Sequence, residues 1–189
     1  MKYLQIGFGC LMAMSALQAN AQDINYTFVE AGFSTLEYDV GPLNVDGDGF
    51  DLVGSLALTD ILFLTASFSD TEFDFNIDAT EAGVGIGGHT PLSEQTDLFG
   101  VISLVDAEIG SNDESGYGFD LGVRHLFNSQ LEFEGGFGYQ DVYDESGTSI
   151  NVGGRYHFEN AVSAAVSYTN TEVDDNDISG IRISIRLNF

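Results

Sequence analysis

The sequence predicts an all-β fold, a closed up-and-down antiparallel transmembrane β-barrel of ten strands, with eight as the alternative. Three observations lead there. The closing stretch Ile181-Arg182-Ile183-Ser184-Ile185-Arg186-Leu187-Asn188-Phe189 sets three Ile, a Leu and a Phe on one edge against Arg, Ser, Arg and Asn on the other. That period of two belongs to a strand with unlike faces and to no helix. The chain also opens with an export signal, and beyond it the longest apolar run, Ile61 to Phe68, falls far short of the ~20 residues that a spanning helix needs. A chain that crosses a membrane without such helices must pair its backbone groups inside a closed barrel.

Lys2, the apolar run from Leu11 to Leu17 broken only by Ser15, and the small-residue site Ala19-Asn20-Ala21 mark residues 1–21 as a cleaved signal peptide. Residues 22–189 then form one barrel domain of ordinary size. The single cysteine, Cys10, leaves with the leader, so the mature chain relies on neither disulfides nor thiolate metal sites. Lys2 leaves as well, and four arginines face 30 acids, an excess of about 26 negative charges. A field of that sign repels nucleic acid and excludes it as a partner.

Ten alternating segments follow in order, near 24–36, 49–58, 61–70, 80–90, 97–108, 115–126, 130–141, 148–158, 161–171 and 178–189. Each is close to the ~9 to 11 residues that cross a bilayer on a tilt. Their connections alternate between short ones, at 59–60, 91–96, 127–130 and 159–160, and longer acidic ones, at 37–48, 70–79, 109–114, 142–147 and 172–177. Short periplasmic turns and longer outer loops are the habit of membrane barrels, which places both termini in the periplasm. Glycines at 54, 85, 122 and 153 recur once per hairpin, as a meander requires.

Faces follow from parity. The first strand opposes Thr27, Val29, Ala31 and Phe33 to Tyr26, Phe28, Glu30 and Gly32, and only Glu30 decides between them. In the second and fourth, Asp51 and Glu81 mark the polar side. The fifth, with Leu98, Ile102 and Leu104 against Phe99, Val101 and Val105, does not declare its faces. Strand six sets Phe119, Leu121 and Val123 against Gly118, Asp120, Gly122 and Arg124, and strand seven sets Leu131, Phe133, Phe137 and Tyr139 against Glu132, Glu134, Gly136 and Gly138. Strand eight sets Ile150, Val152, Gly154, Tyr156 and Phe158 against Asn151, Gly153, Arg155 and His157.

Charge turned into a lumen must be paired, since an uncompensated buried ion costs several kcal/mol. The expected interior network joins Arg124, Arg155, Arg182 and Arg186 to Glu30, Asp120, Glu132 and Glu134. A turn centred near 144 and 145 would set Glu134 opposite Arg155 and Glu132 opposite His157. The turn at 127–130 brings Arg124 to the same two glutamates, and closure of the last strand on the first brings Arg182 to Glu30. The alternative for some of these arginines is snorkelling to an interface.

Most of the remaining acids crowd the longer connections. Asn44-Val45-Asp46-Gly47-Asp48-Gly49 has the front half of an EF-hand loop but no closing acid, because its twelfth position is Ser55. Asp46, Asp48, Asp174, Asp175 and Asp177 are therefore weak metal candidates. No resident cofactor is expected, only diffuse Ca2+ or Mg2+ on an anionic rim. His89, His125 and His157 each end a strand beside a short turn, with His125 sharing parity with lipid-side Val123, so they do not form a triad. No Gly-x-Ser-x-Gly, His-Glu-x-x-His or phosphate loop occurs.

The last strand, ending on an aromatic, resembles the closing strand of a bacterial outer-membrane barrel. That resemblance implies that Ile185, Leu187 and Phe189 are read by the barrel-insertion machinery. The stretch Asn25-Tyr26-Thr27-Phe28-Val29-Glu30-Ala31-Gly32-Phe33, with Gly87-Gly88-His89-Thr90-Pro91-Leu92-Ser93 and Asp97-Leu98, resembles a family of small outer-membrane barrels once described as a secreted quorum factor. The resemblance implies an opacity-like or OmpA-like membrane domain and carries over no catalytic residue. Ten-stranded outer-membrane barrels also include omptin-like proteases, whose acid and histidine site lies at the extracellular end, where this sequence has no histidine. The expectation is a monomeric, non-enzymatic barrel with a side-chain-filled lumen and acidic outer loops, lying among outer-membrane lipid and lipopolysaccharide and serving surface interaction or envelope integrity. Alternatives are a barrel enzyme acting on lipid or peptide, a narrow small-solute channel, and a soluble calcium-binding β-sandwich.

Overall fold

The computed structural model describes residues 24–40, 43–75, 77–143, 145–158, 161–173 and 176–189. The signal peptide expected over residues 1–21 lies outside them. Ten strands follow one another: β1 Phe28–Val40, β2 Leu43–Ala57, β3 Leu62–Phe73, β4 Ile77–Ser93, β5 Thr96–Ile109, β6 Asn112–Leu126, β7 Leu131–Val142, β8 Glu145–His157, β9 Val162–Val173 and β10 Asn176–Asn188. Each pairs antiparallel with its chain neighbours, and β10 closes on β1 from Phe28↔Asn188 to Asp39↔Asp177. The result is an up-and-down barrel with ten strands rather than eight, and no open sheet edge.

At the end that holds both termini, hereafter the terminal end, polar side chains organise the turns. Thr59 Oγ1 accepts from the backbone N–H groups of Ile61 and Leu62. Asn128 Oδ1 does the same for Gln130 and Leu131, at 2.8 and 2.9 Å. A short acceptor that imitates a backbone carbonyl makes such residues good turn formers. The expected break at Pro91 does not occur there: β4 runs on to Ser93, with a register irregularity between Pro91 and Ser93.

The opposite, far end departs from the sequence reading. Most of the described residues in the longer connections expected at 37–48, 70–79, 109–114, 142–147 and 172–177 are strand instead: β3 ends at Phe73 and β4 starts at Ile77, while β5 and β6 are separated only by residues 110–111. Between the acids of these stretches stand Leu36, Tyr38, Val45, Phe73, Ala79, Val105, Ala107, Val142, Val173 and Ile178, all buried in the barrel. Alternation never stops, but its polarity inverts. Along β1 the outward row runs Val29, Ala31, Phe33, Thr35, Glu37, Asp39 and the inward row runs Glu30, Gly32, Ser34, Leu36, Tyr38. The lower part is therefore greasy outside and charged inside, and the upper part acidic outside and apolar inside. β5 is apolar on both faces because its inward Phe99 and Val101 join the terminal-end cluster and its inward Val105 and Ala107 the far-end one, while Ile102 and Leu104 are exposed outside.

The filled lumen has three levels. Tyr26, Phe28, Val53, Phe63, Phe99 and Val101 pack at the terminal end, with Ile24 against them. A charged layer lies above. Two apolar clusters occupy the far end, one of Leu36, Tyr38, Val45, Phe73, Ala79 and Ile178, the other of Val105, Ala107 and Val142. Inward aromatics sit over cross-strand glycines: a Cβ on Gly87 would lie 2.1 Å from Phe63, and one on Gly122 would lie 2.3 Å from Phe99. Each of those glycines is the direct register partner of the ring above it. The bulk of one residue fills the space the other leaves empty.

Candidate functional site

The charged layer is built on two carboxylates. Glu30, on the inner face of β1, accepts from Arg155 Nη2 at 2.8 Å, Arg182 Nη1 at 2.6 Å and Arg186 Nε at 2.5 Å. Arg186 is its register partner on β10, whereas Arg155 reaches it from β8, three strands from β1 around the wall. Arg182 also donates Nε to Asp51 Oδ1 at 2.8 Å. It can do so because Gly32 lies between them: a Cβ there would stand 2.5 Å from both Arg182 Nε and Asp51 Oδ1. The Arg186 guanidinium then lies 4.1 Å from the centroid of the Phe28 ring, a cation–π contact that joins this layer to the apolar cluster below.

Glu132 is the second centre. It takes Arg124 Nε on one oxygen at 2.7 Å and stands 2.8 Å from His157 Nε2 on the other. Arg124 also lies 3.7 Å from Glu134. Charge-assisted contacts of this kind are the strong form of hydrogen bond, and with both partners out of water the loss of either leaves an uncompensated buried charge.

Most of the eight residues expected to form the interior network meet there, but in a different register from the expectation. Glu132, not Glu134, is opposite Arg155, and Glu134 faces Gly153. The β7–β8 pairing is centred one residue earlier than the expected one, which slides the register by two residues and preserves the faces. Asp120 stands apart from the arginines. Its Oδ1 occupies the space left by Gly138, and the charge acting on it is that of Glu81, which accepts from Gln140 Nε2 at 2.9 Å. Asp51 belongs to the arginine network and was readable only as a polar-side acid, because its partner lies across the sheet at β10.

The terminal-end mouth is crossed by the segment ahead of β1. Asn25 Nδ2 donates to the Phe189 carbonyl at 3.1 Å. The Tyr26 ring stacks on His89, with centroids 3.8 Å apart, and on Phe63 at 4.6 Å. Its hydroxyl donates to Asp97 Oδ2, which also lies 3.0 Å from His89 Nδ1. The three histidines do not converge: His89 faces Asp97, His157 faces Glu132, and His125 contacts Thr96 and Phe127 on the outside.

The acids at the far end face outward as a collar. Asp46 and Asp48 lie on β2, not in a loop, so the Asn44 to Gly49 stretch cannot wrap an ion. Asp177 is the second residue of β10, and Asp174 and Asp175 lie outside the described residues. No group of three or more potential metal-ligating side chains occurs among the described residues. The pairing instead opposes like charges: Glu37 to Asp46, Asp39 to Asp177, Asp48 to Glu72, Glu72 to Asp78, Glu108 to Asp113 and Glu172 to Asp177. Ile185, Leu187 and Phe189 all project outward at the terminal end.

No protein-family model matches the chain, and no curated protein matches it in sequence. Its likeness is to solved structures. An outer membrane channel from Pseudomonas putida F1 superposes with a TM-score of 0.54 at 9% identity, over 91% of this chain and 99% of that one. KdgM porin in complex with disordered oligogalacturonate gives 0.49 at 9% identity, over 86% and 99%. Neisserial surface protein A gives 0.47 at 11% identity, over 86% and 96%. At such identities the likeness is one of fold, and the first of the three carries it: this chain is similar in fold to the small bacterial outer-membrane β-barrels.

Proposed function

We propose that this chain is an integral outer-membrane barrel without catalytic activity, closed to solutes, that serves surface contact or envelope integrity. The observation that carries the reading is the outward belt. Val29, Phe33, Phe50, Leu52, Leu64, Val84, Ile86, Ile102, Leu121, Phe137, Ile150, Val166, Ile181, Ile183 and Ile185 are exposed on all sides of the barrel. Soluble proteins rarely expose contiguous apolar patches of more than a few hundred Å², whereas a membrane barrel needs an apolar band about 25 Å tall between aromatic girdles. Phe127, Tyr156, Phe158 and Phe189 supply the girdle at the terminal end, and Phe33, Phe50, Tyr117 and Tyr168 supply aromatic groups toward the collar. The hairpins run on past the apolar belt, as acidic extensions, only at the far end, which favours an external collar and a periplasmic terminal end. Closure without a free edge favours a monomer.

Apolar clusters at both ends of the lumen, with the arginine layer between, support a closed interior over a narrow channel. The histidines, all beside the terminal-end turns, support a non-enzymatic role over an omptin-like one. Purified protein folded into planar bilayers tests the reading. It is expected to migrate heat-modifiably on gels, to fractionate with outer membranes and to give no unitary current steps. Discrete steps would establish the channel alternative. Turnover of a lipid A or peptide substrate, lost on replacing Asp97 or His89, would establish the enzyme.

A further inference from the structure

Along the inner face of β5 a single hydroxyl interrupts an apolar row. Ser103 stands between Val101 of the terminal-end cluster and Val105 of a far-end one. It is 2% exposed, and its Oγ has no hydrogen-bond partner. Leaving a buried hydroxyl unpaired is costly, so the space it faces is where a partner belongs.

That space is a hollow floored by glycine. Ser103 Oγ lies 2.7 Å from where a Cβ on Gly118 would be, and Asp120 Oδ1 lies 2.9 Å from where one on Gly138 would be. Gly118 is directly opposite Gln140, and Asp120 directly opposite Gly138. Gln140 Nε2 donates to Glu81 Oε2 at 2.9 Å, which brings the Glu81 carboxylate across the lumen from β4 to β7. Ser69, the register partner of Glu81 on β3, has a second buried Oγ without a hydrogen-bond partner. Five successive strands, β3 to β7, thus each contribute a side-chain oxygen to this part of the lumen.

The charge there is unbalanced. Glu81 and Asp120 are 1% and 7% exposed, and the charge acting on Asp120 is that of Glu81, with no arginine acting on it among the described residues. The four arginines are engaged elsewhere, with Glu30, Asp51, Glu132 and Glu134. Two carboxylates out of water repel each other unless a cation or a proton neutralises them.

We propose that this chamber holds one Ca2+ ion, taken up as the barrel closes. Glu81 and Asp120 supply the opposing charge, and the Ser69 and Ser103 hydroxyls and the Gln140 carboxamide supply neutral oxygen. The set lacks the three acids or histidines of a conventional metal centre. Carboxylates mixed with neutral oxygens nevertheless suit Ca2+, which takes about 6 to 8 oxygen ligands in flexible geometry. Mg2+ demands an octahedron and gives up its waters reluctantly, so it fits an enclosed chamber less well. The site is independent of the surface role proposed above.

The test folds the full barrel from urea into detergent micelles with calcium or with a chelator, strips loose metal on a chelating column and measures metal content by mass spectrometry. About one Ca2+ per barrel is expected, with a urea midpoint higher in calcium than in chelator, as for any ligand of the folded state alone. Asp120→Asn should reduce retained calcium to background and abolish the calcium-dependent shift. In chelator the same variant should unfold at a higher urea concentration than the wild type, because the repulsion is gone. Combined Asp46→Asn, Asp48→Asn and Glu72→Gln on the collar should leave the bound ion in place. Heat-modifiable migration checks folding, and the wild-type metal content decides the matter even where a variant does not fold. A wild-type barrel folded in calcium that carries none overturns the proposal, as does calcium lost with the collar set and kept by Asp120→Asn. Stability that ignores calcium but rises on acidification, only while Asp120 is present, would assign the chamber to a shared proton and overturn it too.

Discussion

Glu30 has the most to lose from a single change. Three guanidinium groups from two strands converge on one carboxylate with no exposure to solvent. Glu30→Gln keeps the shape and removes the charge, leaving an uncompensated cluster of arginines, and should cost about 3–5 kcal/mol, measured by urea unfolding in detergent micelles. A loss within experimental error would show that the layer is wet enough to screen itself. Gly32 offers a steric counterpart. A methyl group there would stand 2.5 Å from both members of the Arg182–Asp51 pair, so Gly32→Ala should destabilise by about 1–3 kcal/mol. At Gly54, where a Cβ meets nothing within 4 Å, the same substitution should be neutral or stabilising by up to about 1 kcal/mol. Which glycine does which job was not legible in the sequence. Both appear there only as glycines in strands, and the difference lies in what crosses over them.

Among the elements, the far ends of the strands respond to salt in the opposite sense from an ordinary salt-bridged structure. Asp48, Glu72 and Asp78 form a row of like charges across β2, β3 and β4, and screening relieves them. Raising sodium chloride from low to high concentration should therefore increase amide protection in Asn44–Gly49 and Thr71–Phe73, followed by hydrogen exchange. Protection around the buried arginine layer should stay constant or fall slightly. A uniform response along the strands would show that the like-charge pairs contribute nothing. The same stretches were read from sequence as loops, because dense acid is the usual mark of a solvated connection. Composition alone hides the alternation that runs on through Leu36 and Tyr38 on β1 and resumes at Val45 on β2, continuing the strands with their polarity reversed. The reversal needs no slip in register, only a change of surroundings at the edge of the apolar belt.

For the whole molecule, closure is the organising event. β10 pairs with β1, and the Phe189 backbone N–H donates to Thr27, so the chain end and its start are joined at one seam while Asn25 and Tyr26 cover the mouth beside it. Deleting Phe189 should lower the fraction of the protein recovered in outer membranes and leave more in the periplasm, counted by fractionation and immunoblotting. Undiminished insertion would show that the final aromatic is not part of an insertion signal.

The meander order and the inward row of arginines and glutamates were determined by the sequence alone, because charge on one side of a period of two leaves those strands no choice of face, whereas ten strands over eight and the faces of β5 were decided by the closed wall. The partners were decided only by the tertiary structure. Glu132 opposite Arg155, Arg155 on Glu30 and Tyr26 on Asp97 depend on where one turn is centred and on the stagger and circumference of the closed wall, quantities that no local pattern encodes.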